Sequence, residues 1–395
     1  MSKEVPSSRK LRVGVIGAGV GAALHIVGFQ SCPEAEVVAV CGRTEGKVKA
    51  VAERFGIPET VSDFRDLLPN VDVVSVATPN VSHYPMVMAS LEAGKHVLCE
   101  KPLGMNVREA REMYEKAELS GLKHCCGLPS RYLPAISKAK ELLNQGYVGR
   151  ILQISVESLP AFPPASPMGW RSSKALSGTG VLAETGPHML DRARYLLDQE
   201  LTGVFGLAST LVPRRPMTAE VYDFLDGVRW GLAQEGDGPR STRMSAVDVE
   251  DDCLILGEYS GGVRASFHFS WHVRSAHTPR SDYTGVQIYG EKGTLLIETV
   301  RPDGRILGVK IGGGPPEEIL FPVEPGTCSS PPYDRVERWQ LSMNQLIQRY
   351  VDSILGATGD YPTFHDGLRI QEVLEGVEIS ASQRRWVSLG DGQRL

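Results

Sequence analysis

The chain has no long apolar run. None of its 395 residues lies in a stretch approaching the roughly 20 consecutive apolar residues a bilayer-spanning helix needs, so no membrane partner is expected. It has no surplus of positive charge either. With 42 Lys and Arg against 47 Asp and Glu, the net charge is −5, which leaves no basic footprint for nucleic acid or an anionic surface. Cysteine is scattered: seven in all, an odd number, adjacent only at Cys125-Cys126. No CxxC pair suggests a metal centre and no spaced set suggests a disulfide framework. The cysteines read as small buried hydrophobes in a reducing cytoplasm. The first ten residues, MSKEVPSSRK, lack the apolar core of a secretion signal, and 1–10 reads as a disordered lead-in. No internal repeat or low-complexity tract stands out. What is present is 42% hydrophobic and 23% charged, ordinary for a globular protein and long enough for two domains.

Residues 11–129 alternate strand and helix. Apolar runs at Leu11–Ile16, Glu36–Cys41, Val71–Thr78, His96–Cys99 and Lys123–Cys126, with a short one at Glu59–Val61, are separated by helical stretches at Val20–Gln30, Thr44–Phe55, Asp63–Leu68, Ser82–Ala93 and Val107–Ser120. Such alternation predicts a doubly wound parallel α/β sheet covered on both faces, with the carboxyl ends of its strands along one rim. From 130 to 395 the pattern changes. After a helix at Pro134–Gln145 come longer alternating strands: Ile151–Val156, Val204–Leu211, Asp252–Tyr259, Val263–Trp271, Gly285–Tyr289, Gly293–Glu298, Ile306–Ile311 and Glu318–Phe321. Helices are expected at Val336–Leu355 and Gly367–Gln383. This is an α+β domain built on a large, open, mainly antiparallel sheet. Polar, Arg-, Gly- and Pro-rich 213–246 reads as an insertion, and proline-rich Ala161–Pro167 as a loop over the cleft.

Gly17-Ala18-Gly19-Val20-Gly21-Ala22 lies between the first strand and first helix, the setting in which G-x-G-x-x-G/A binds a dinucleotide. Gly17 permits the tight turn, Gly19 admits the pyrophosphate, Ala22 keeps the helix close, and the helix N-terminus at Val20 faces the anion. NAD enzymes usually place an acid about 20 residues on, to grip the ribose. Here Cys41-Gly42-Arg43-Thr44 stands instead. Arg43 can pair with a 2′-phosphate and Thr44 can donate to it, a charge-assisted contact of roughly 1.5–3 kcal/mol. NADP is the preferred cofactor on this reading, with NAD second.

Three segments are expected to meet at the nicotinamide end: Thr78, Pro79 and Asn80 with His83; Glu100 and Lys101 of Glu100-Lys101-Pro102; and Glu184, His188 and Asp191, spaced i, i+4, i+7 so that one helix face would show all three. Pro187 fits only a first helical turn, which puts Glu184 near the helix start. Oxidising a secondary alcohol requires a base for its proton, a role suited to His188. Lys101 can hold the oxygen and favour alkoxide character, and Glu184 can orient the site. Each residue alone also has a plain structural use: a core histidine, a helix cap, a surface charge.

The chain resembles the Gfo/Idh/MocA oxidoreductases, the glucose–fructose oxidoreductase and inositol dehydrogenase group. The resemblance runs through Gly17-Ala18-Gly19 with His25, Ala77-Thr78-Pro79-Asn80 with His83, Glu100-Lys101-Pro102, Arg131-Tyr132, Trp170-Arg171, Glu184…His188…Asp191 and Asp366-Gly367-Leu368-Arg369. It implies a Rossmann domain followed by a domain whose open sheet makes homodimer or homotetramer contacts. It also implies sugar- or cyclitol-like substrates, catalytic Lys101 and His188, and Arg131, Trp170, Arg171 and Asp191 beside the substrate. Where the family usually has aspartate, this chain has Glu184, one methylene longer, and the 213–246 insertion departs from shorter members. Alternatives from the same fold are a cyclic dihydrodiol dehydrogenase, with Trp170, Phe162 and Trp271 lining an apolar pocket, and a redox-neutral NAD-dependent glycosidase. A nucleotide-sensing regulator is a further alternative, for which intact Lys101 and His188 would be unnecessary.

Overall fold

Valines crowd the first strands because helices bury both of their faces. A computed structural model describes residues 9–218, 243–273, 283–299, 304–322 and 334–390. In it β1 (Leu11–Ile16), β2 (Ala35–Cys41), β3 (Glu59–Val61), β4 (Val73–Val76), β5 (His96–Glu100) and β6 (His124–Gly127) form one sheet in the order β3-β2-β1-β4-β5-β6. Every pair is parallel. Val13, Val15, Val73, Val74, Val76, Val97 and Leu98 are all inaccessible to solvent, as a sheet covered on both sides requires. The helices are α1 (Val20–Gln30), α2 (Glu45–Phe55), α3 (Phe64–Leu67), α4 (His83–Glu92) and α5 (Val107–Ser120). Strand order reverses between β1 and β4, so a crevice opens outside their carboxyl ends. β4 is shorter than the expected Val71–Thr78. The chain leaves the sheet after Val76, and Pro79, without an N–H, leads into a single 3-10 turn, Asn80–Ser82.

The second sheet has nine strands. They are β7 (Ile151–Leu159), β8 (Leu201–Ser209), β11 (Asp252–Tyr259), β12 (Arg264–Ser270), β13 (Tyr283–Gly290), β14 (Gly293–Glu298), β15 (Arg305–Lys310), β16 (Glu317–Glu318) and β17 (Val387–Ser388), in the order β16-β15-β14-β13-β7-β12-β11-β8-β17. β7 and β12 run parallel and the other pairs antiparallel. β16 is two residues rather than the expected Glu318–Phe321, both exposed on the sheet's edge. Period-2 alternation is plain in β11. Cys253, Ile255 and Tyr259 point into the core, while Leu254 and Leu256 face outward, 44% and 57% exposed. Helices α6 (Pro134–Asn144), α9 (Gly186–Leu197) and α11 (Phe364–Gln383) cover the inner face, and short α7 (Lys174–Ser177) and α8 (Val181–Glu184) lead into α9.

One helix crosses the division drawn at residue 130. Helix α10 (Asp334–Ile354) places Met343, Leu346, Ile347, Tyr350 and Val351 in a core with Val13 of β1 and Ile26 and Phe29 of α1. A Cβ on Gly28 of α1 would lie 2.4 Å from Ile347 Cδ1, so the two helices meet nearly backbone to side chain. The described ends of the expected insertion form a two-stranded antiparallel ribbon, β9 (Arg214–Pro216) with β10 (Met244–Ala246); positions 219–242 lie outside the described residues, as do 1–8 of the lead-in. Arg9, still within the expected 1–10 lead-in, is ordered enough to donate to Asp72 at 2.8 Å. Cys32, Cys41, Cys99, Cys125, Cys126 and Cys253 are free and buried. Among the described residues no helix is long and apolar enough to cross a membrane, and no cluster of His, Cys, Asp or Glu could hold a metal ion.

Candidate active site

The nucleotide end is built by close approaches. Gly17 sits at φ +131°, and a Cβ there would lie 2.3 Å from the Ala77 carbonyl oxygen, so only glycine joins β1 to α1 beside the end of β4. Gly19 is the N-cap of α1. No side chain caps this helix, and a Cβ on Gly19 would meet nothing within 4 Å. Val20 opens the helix, and buried Ala22 fixes it to the sheet. The uncapped N–H groups of the first turn thus face a space suited to a pyrophosphate, and the residues present fit a dinucleotide. Arg43 and Thr44 follow β2 with exposed side chains. Thr44 is the N-cap of α2, and its hydroxyl makes no capping bond, which leaves it free for a ligand oxygen.

The mouth of β4 is braced rather than open. The His83 ring lies between the carbonyls of Pro102, 2.8 Å from Nδ1, and Thr78, 3.0 Å from Nε2. It is fully buried, and burial holds its pKa below the ordinary histidine value despite those carbonyls. Asn80 is also spent: its Nδ2 donates to the Ser177 carbonyl at 2.8 Å. This bond fastens the first sheet to α7 of the second domain. His83 and Asn80 thus brace the wall of the crevice, through both ring nitrogens of His83 and the Nδ2 of Asn80.

At the end of β5, Glu100 and Lys101 diverge. Glu100 Oε1 meets His25 Nε2 at 2.9 Å, and His25 Nδ1 meets Ser75 Oγ at 2.7 Å. Burial would raise the Glu100 carboxyl, but His25, Lys101 and His188 outweigh it and lower the pKa to about 2. Lys101, 9% exposed, points toward the second domain. Its Nζ donates to the Glu184 carbonyl at 2.7 Å and to Glu184 Oε2 at 3.1 Å. Glu184 Oε1 pairs with Arg171 Nε at 3.0 Å, and the Arg171 guanidinium lies 4.3 Å from the centre of the Trp170 ring. Burial opposes ionisation of Glu184, yet Arg171, Lys101 and His188 bring its pKa down to about 2. The glutamate thus bridges two cations with its two oxygens.

His188 follows one turn later, but not on the same helix. The expected continuous helix is two, α8 and α9, broken at Thr185. Pro187 has no N–H to offer the carbonyl of Ala183. His188 is half-buried, its Nδ1 is shut off from solvent with no hydrogen-bond partner among the described residues, and its ring packs 4.7 Å from the Trp339 ring. Burial, with Lys101 and Arg192 nearby, pushes its pKa down to about 3 against the pull of Glu100 and Glu184. It is a neutral imidazole across the physiological range.

Asp191 and Arg131, expected beside the substrate, are instead spent on one another in the interior. Arg131 Nε donates to Asp191 Oδ2 at 2.9 Å and Nη2 to Oδ1 at 2.5 Å, and Nη2 also reaches Asp366 Oδ1 at 2.6 Å. Arg131 is 4% and Asp191 0% exposed, so each charge is compensated by the other inside the protein. Asp366 in turn completes a capping box with Thr363, and α11 starts at Phe364, three residues ahead of the expected Gly367. Trp271 is buried at 3% exposure, and Phe162 packs against the core; Phe162 N–H donates to the Trp271 carbonyl at 2.6 Å, which pins the 161–167 loop. Sequence reasoning missed Trp339, which lies far along the chain on α10 and carries no motif. It also missed Glu250, whose only sign was its place in Val249-Glu250-Asp251-Asp252 ahead of a strand.

Residues 11–127 match the oxidoreductase family with an NAD-binding Rossmann fold, and residues 136–296 match the GFO/IDH/MocA C-terminal domain. Levoglucosan dehydrogenase from Pseudarthrobacter phenanthrenivorans is 32% identical over 307 residues, 75% of this chain and 75% of that protein. Trans-1,2-dihydrobenzene-1,2-diol dehydrogenase from Mus musculus is 30% identical over 295 residues, 73% of this chain and 74% of that one. A solved structure of levoglucosan dehydrogenase in complex with NADH and levoglucosan superposes with a TM-score of 0.79 at 24% identity, over 97% of this chain and 100% of that one.

Proposed function

Because the chain belongs to the Gfo/Idh/MocA oxidoreductase family, with its NAD-binding Rossmann domain, we propose that it oxidises or reduces a ring hydroxyl or ketone of a sugar or cyclitol, with Lys101 and His188 as the catalytic pair. The observation that carries this reading is the convergence of Lys101 Nζ, the Glu184 carboxylate and a neutral His188 with a buried Nδ1 beside the strand ends that would cradle the dinucleotide.

The nicotinamide supplies the hydride chemistry when bound. The chain's residues manage the oxygen and its proton. Lys101 has three donors; two go to Glu184, and the third is available to a substrate oxygen, where the ammonium favours alkoxide character. His188, kept neutral by burial, offers a lone pair to the hydroxyl proton and returns it in the reductive direction. Trp339 packs against one side of the ring and fixes its orientation. Arg171, stacked on Trp170, holds Glu184 against Lys101.

For the cofactor, exposed Arg43 and Thr44 after β2, with no carboxylate among Cys41-Gly42-Arg43-Thr44, favour NADP over NAD. The substrate is a small polyol rather than nucleic acid or membrane. The outward leucines of the open sheet, Leu207, Leu254 and Leu256, favour a homodimer or homotetramer, and a cytoplasmic setting is consistent with free buried cysteines. A second reading, oxidation of a cyclic dihydrodiol, draws on the name of the mouse relative and on Trp170 and Trp339 near the site.

The test is reduced-nicotinamide absorbance with NADP⁺ or NAD⁺ across a panel of sugars, nucleotide sugars, inositols and dihydrodiols. Turnover with a polyol, lost at least 100-fold in Lys101→Met, is expected (about that scale for one general acid or base). Undiminished turnover in Lys101→Met would overturn the mechanism. Silence across the panel despite cofactor binding would favour a keto-substrate reductase, a redox-neutral glycosidase or a sensor. In Arg43→Ala, the NADP over NAD preference should fall roughly 10-fold or more, the scale of one charge-assisted contact; an unchanged ratio removes the NADP assignment.

A further inference from the structure

The turn that launches α8 is clamped from outside its own segment. Glu250 stands just ahead of β11 in the second sheet. Its Oε1 accepts the Gly180 N–H at 2.8 Å and the Leu182 N–H at 2.9 Å, and its backbone carbonyl accepts the Val181 N–H at 3.0 Å. One residue thus receives three consecutive N–H groups at the start of a helix that has no cap of its own. The approach is so close that a Cβ on Gly180 would lie 1.9 Å from the Glu250 carbonyl oxygen.

Glu250 is itself held firmly. Its neighbour Asp251 is fully buried and accepts the N–H groups of Leu211 at 2.6 Å and Val212 at 3.0 Å. Asp251 N–H also donates to the Ser209 carbonyl at 3.0 Å, and the Asp251 carbonyl accepts from Trp271 N–H at 2.9 Å. The clamp is therefore part of the sheet. From Gly180 to the site is a single helical turn: Glu184 N–H donates to the Gly180 carbonyl at 3.0 Å, and Glu184 then receives Lys101 Nζ on both its carbonyl and its carboxylate.

We infer that Glu250 is a positioning residue for this site: by fixing the start of α8 to the second sheet, it sets where Glu184 meets Lys101. The inference rests on the reading of Lys101 as a catalytic residue. Glu250 touches neither the substrate space nor Lys101, and it acts only through the Gly180–Glu184 turn.

The geometry requires an acceptor oxygen, not a charge, so the amide should serve as well as the acid. Glu250→Gln keeps one oxygen for both N–H groups, Glu250→Asp withdraws it by one methylene, and Glu250→Ala removes it. Two readouts are taken on the full chain. One is kcat and KM with the best panel substrate. The other, independent of turnover, is the acetylation rate of Lys101 in the cofactor-free protein by competitive anhydride labelling and peptide mass analysis, which rises when Lys101 loosens from Glu184.

The expected result is Glu250→Gln within about twofold of wild type on both readouts. In Glu250→Asp and Glu250→Ala, kcat should drop at least 10-fold, Lys101 should label several-fold faster, and cofactor Kd should stay unchanged, because the dinucleotide rests on the first sheet. Should Glu250→Ala fail to fold, the Gln and Asp pair carries the comparison. Wild-type kcat and labelling in Glu250→Asp, or equal losses in Gln and Asp, would overturn the inference. Lys101→Met measured alongside separates the two failures: if it keeps full turnover, the catalytic reading falls; if it is dead while Glu250→Asp is normal, only the positioning role falls.

Discussion

At the scale of single residues, the site works by taking freedom from charged groups. Lys101 and Glu184 were visible in the sequence because their type, and for Lys101 its place at a strand end, carry chemistry. His188 was visible for its spacing, but its environment was not. Nothing in Gly186-Pro187-His188 says that the ring will pack against Trp339 with Nδ1 shut off from solvent and unpaired, since the neighbour lies 151 positions away on α10. The same holds in reverse for Arg131 and Asp191. The resemblance implies that they stand beside the substrate, and only the folded chain shows that they pair with one another. Burial of His188 gives a specific expectation. An ordinary histidine titrates near 6.5, but here the ring stays neutral down to about 3. The ring resonances of His188, assigned by their loss in His188→Asn, should therefore not shift between pH 5 and 8. A midpoint near 6.5 would show that the ring is wet and that its neutral state is not built in. His188→Asn should also lower kcat by ~10²–10⁴, the usual worth of a general base, with cofactor affinity unchanged in a fluorescence titration.

At the scale of elements, the turn between β1 and α1 shows why some structure is legible from sequence. Its signature is local, a left-handed φ at Gly17, open space at Gly19 and a small residue at Ala22, although the Ala77 carbonyl that closes on Gly17 comes from the end of β4. Strand existence in both sheets was legible for the same reason, since period-2 or continuous burial leaves its mark on consecutive residues. What was not legible were junctions decided by a distant backbone, such as the break between α8 and α9, the clamp on Gly180 and the docking of α10 on α1. The glycine turn admits a direct test. Gly17→Ala must place its Cβ 2.3 Å from the Ala77 oxygen at a φ of +131°, so β4 or the turn must shift. Stability should fall by about 1–3 kcal/mol, the scale of such strain, and dinucleotide affinity should fall with it. Urea unfolding with isothermal titration checks both. Gly19→Ala, which meets nothing within 4 Å, should leave stability within about 1 kcal/mol yet weaken dinucleotide binding, because its methyl enters the space over the α1 N-terminus. Equal effects of the two substitutions on stability would show that the tight turn is not where the constraint lies.

At the scale of the whole molecule, the buried site makes stability depend on pH, with opposing contributions. Glu100 and Glu184 have folded pKa values of about 2, below the ordinary 4.5. The unfolded chain therefore binds their protons first, and their stabilisation, present above 4.5, is lost as pH falls from 4.5 toward 2. His188 adds to this over a wider window. The unfolded ring takes a proton below 6.5 and the folded one only near 3, so stability falls as pH drops from 6.5 to 3. Glu250 has the opposite sign. Burial outweighs the N–H groups of Leu182, Glu250 itself and Gly180, and with Glu378 near by the carboxyl is pushed up from 4.5 to about 7. The folded chain then keeps a proton the unfolded chain has lost, and stability from this group is lost as pH rises from 4.5 to 7. A one-proton difference changes stability by about 1.4 kcal/mol per pH unit, so His188 and Glu250 largely cancel between 4.5 and 6.5. Subtracting variants exposes each one. The stability of wild type minus that of His188→Asn should rise with pH between 3 and 6.5, and that of wild type minus Glu250→Gln should fall with pH between 4.5 and 7. Urea unfolding at half-unit pH steps gives both differences. A flat difference for His188→Asn would mean that the ring is hydrated in the folded chain. A flat difference for Glu250→Gln would mean that Glu250 is ionised at its clamp, which the positioning role tolerates because that role requires only the oxygen.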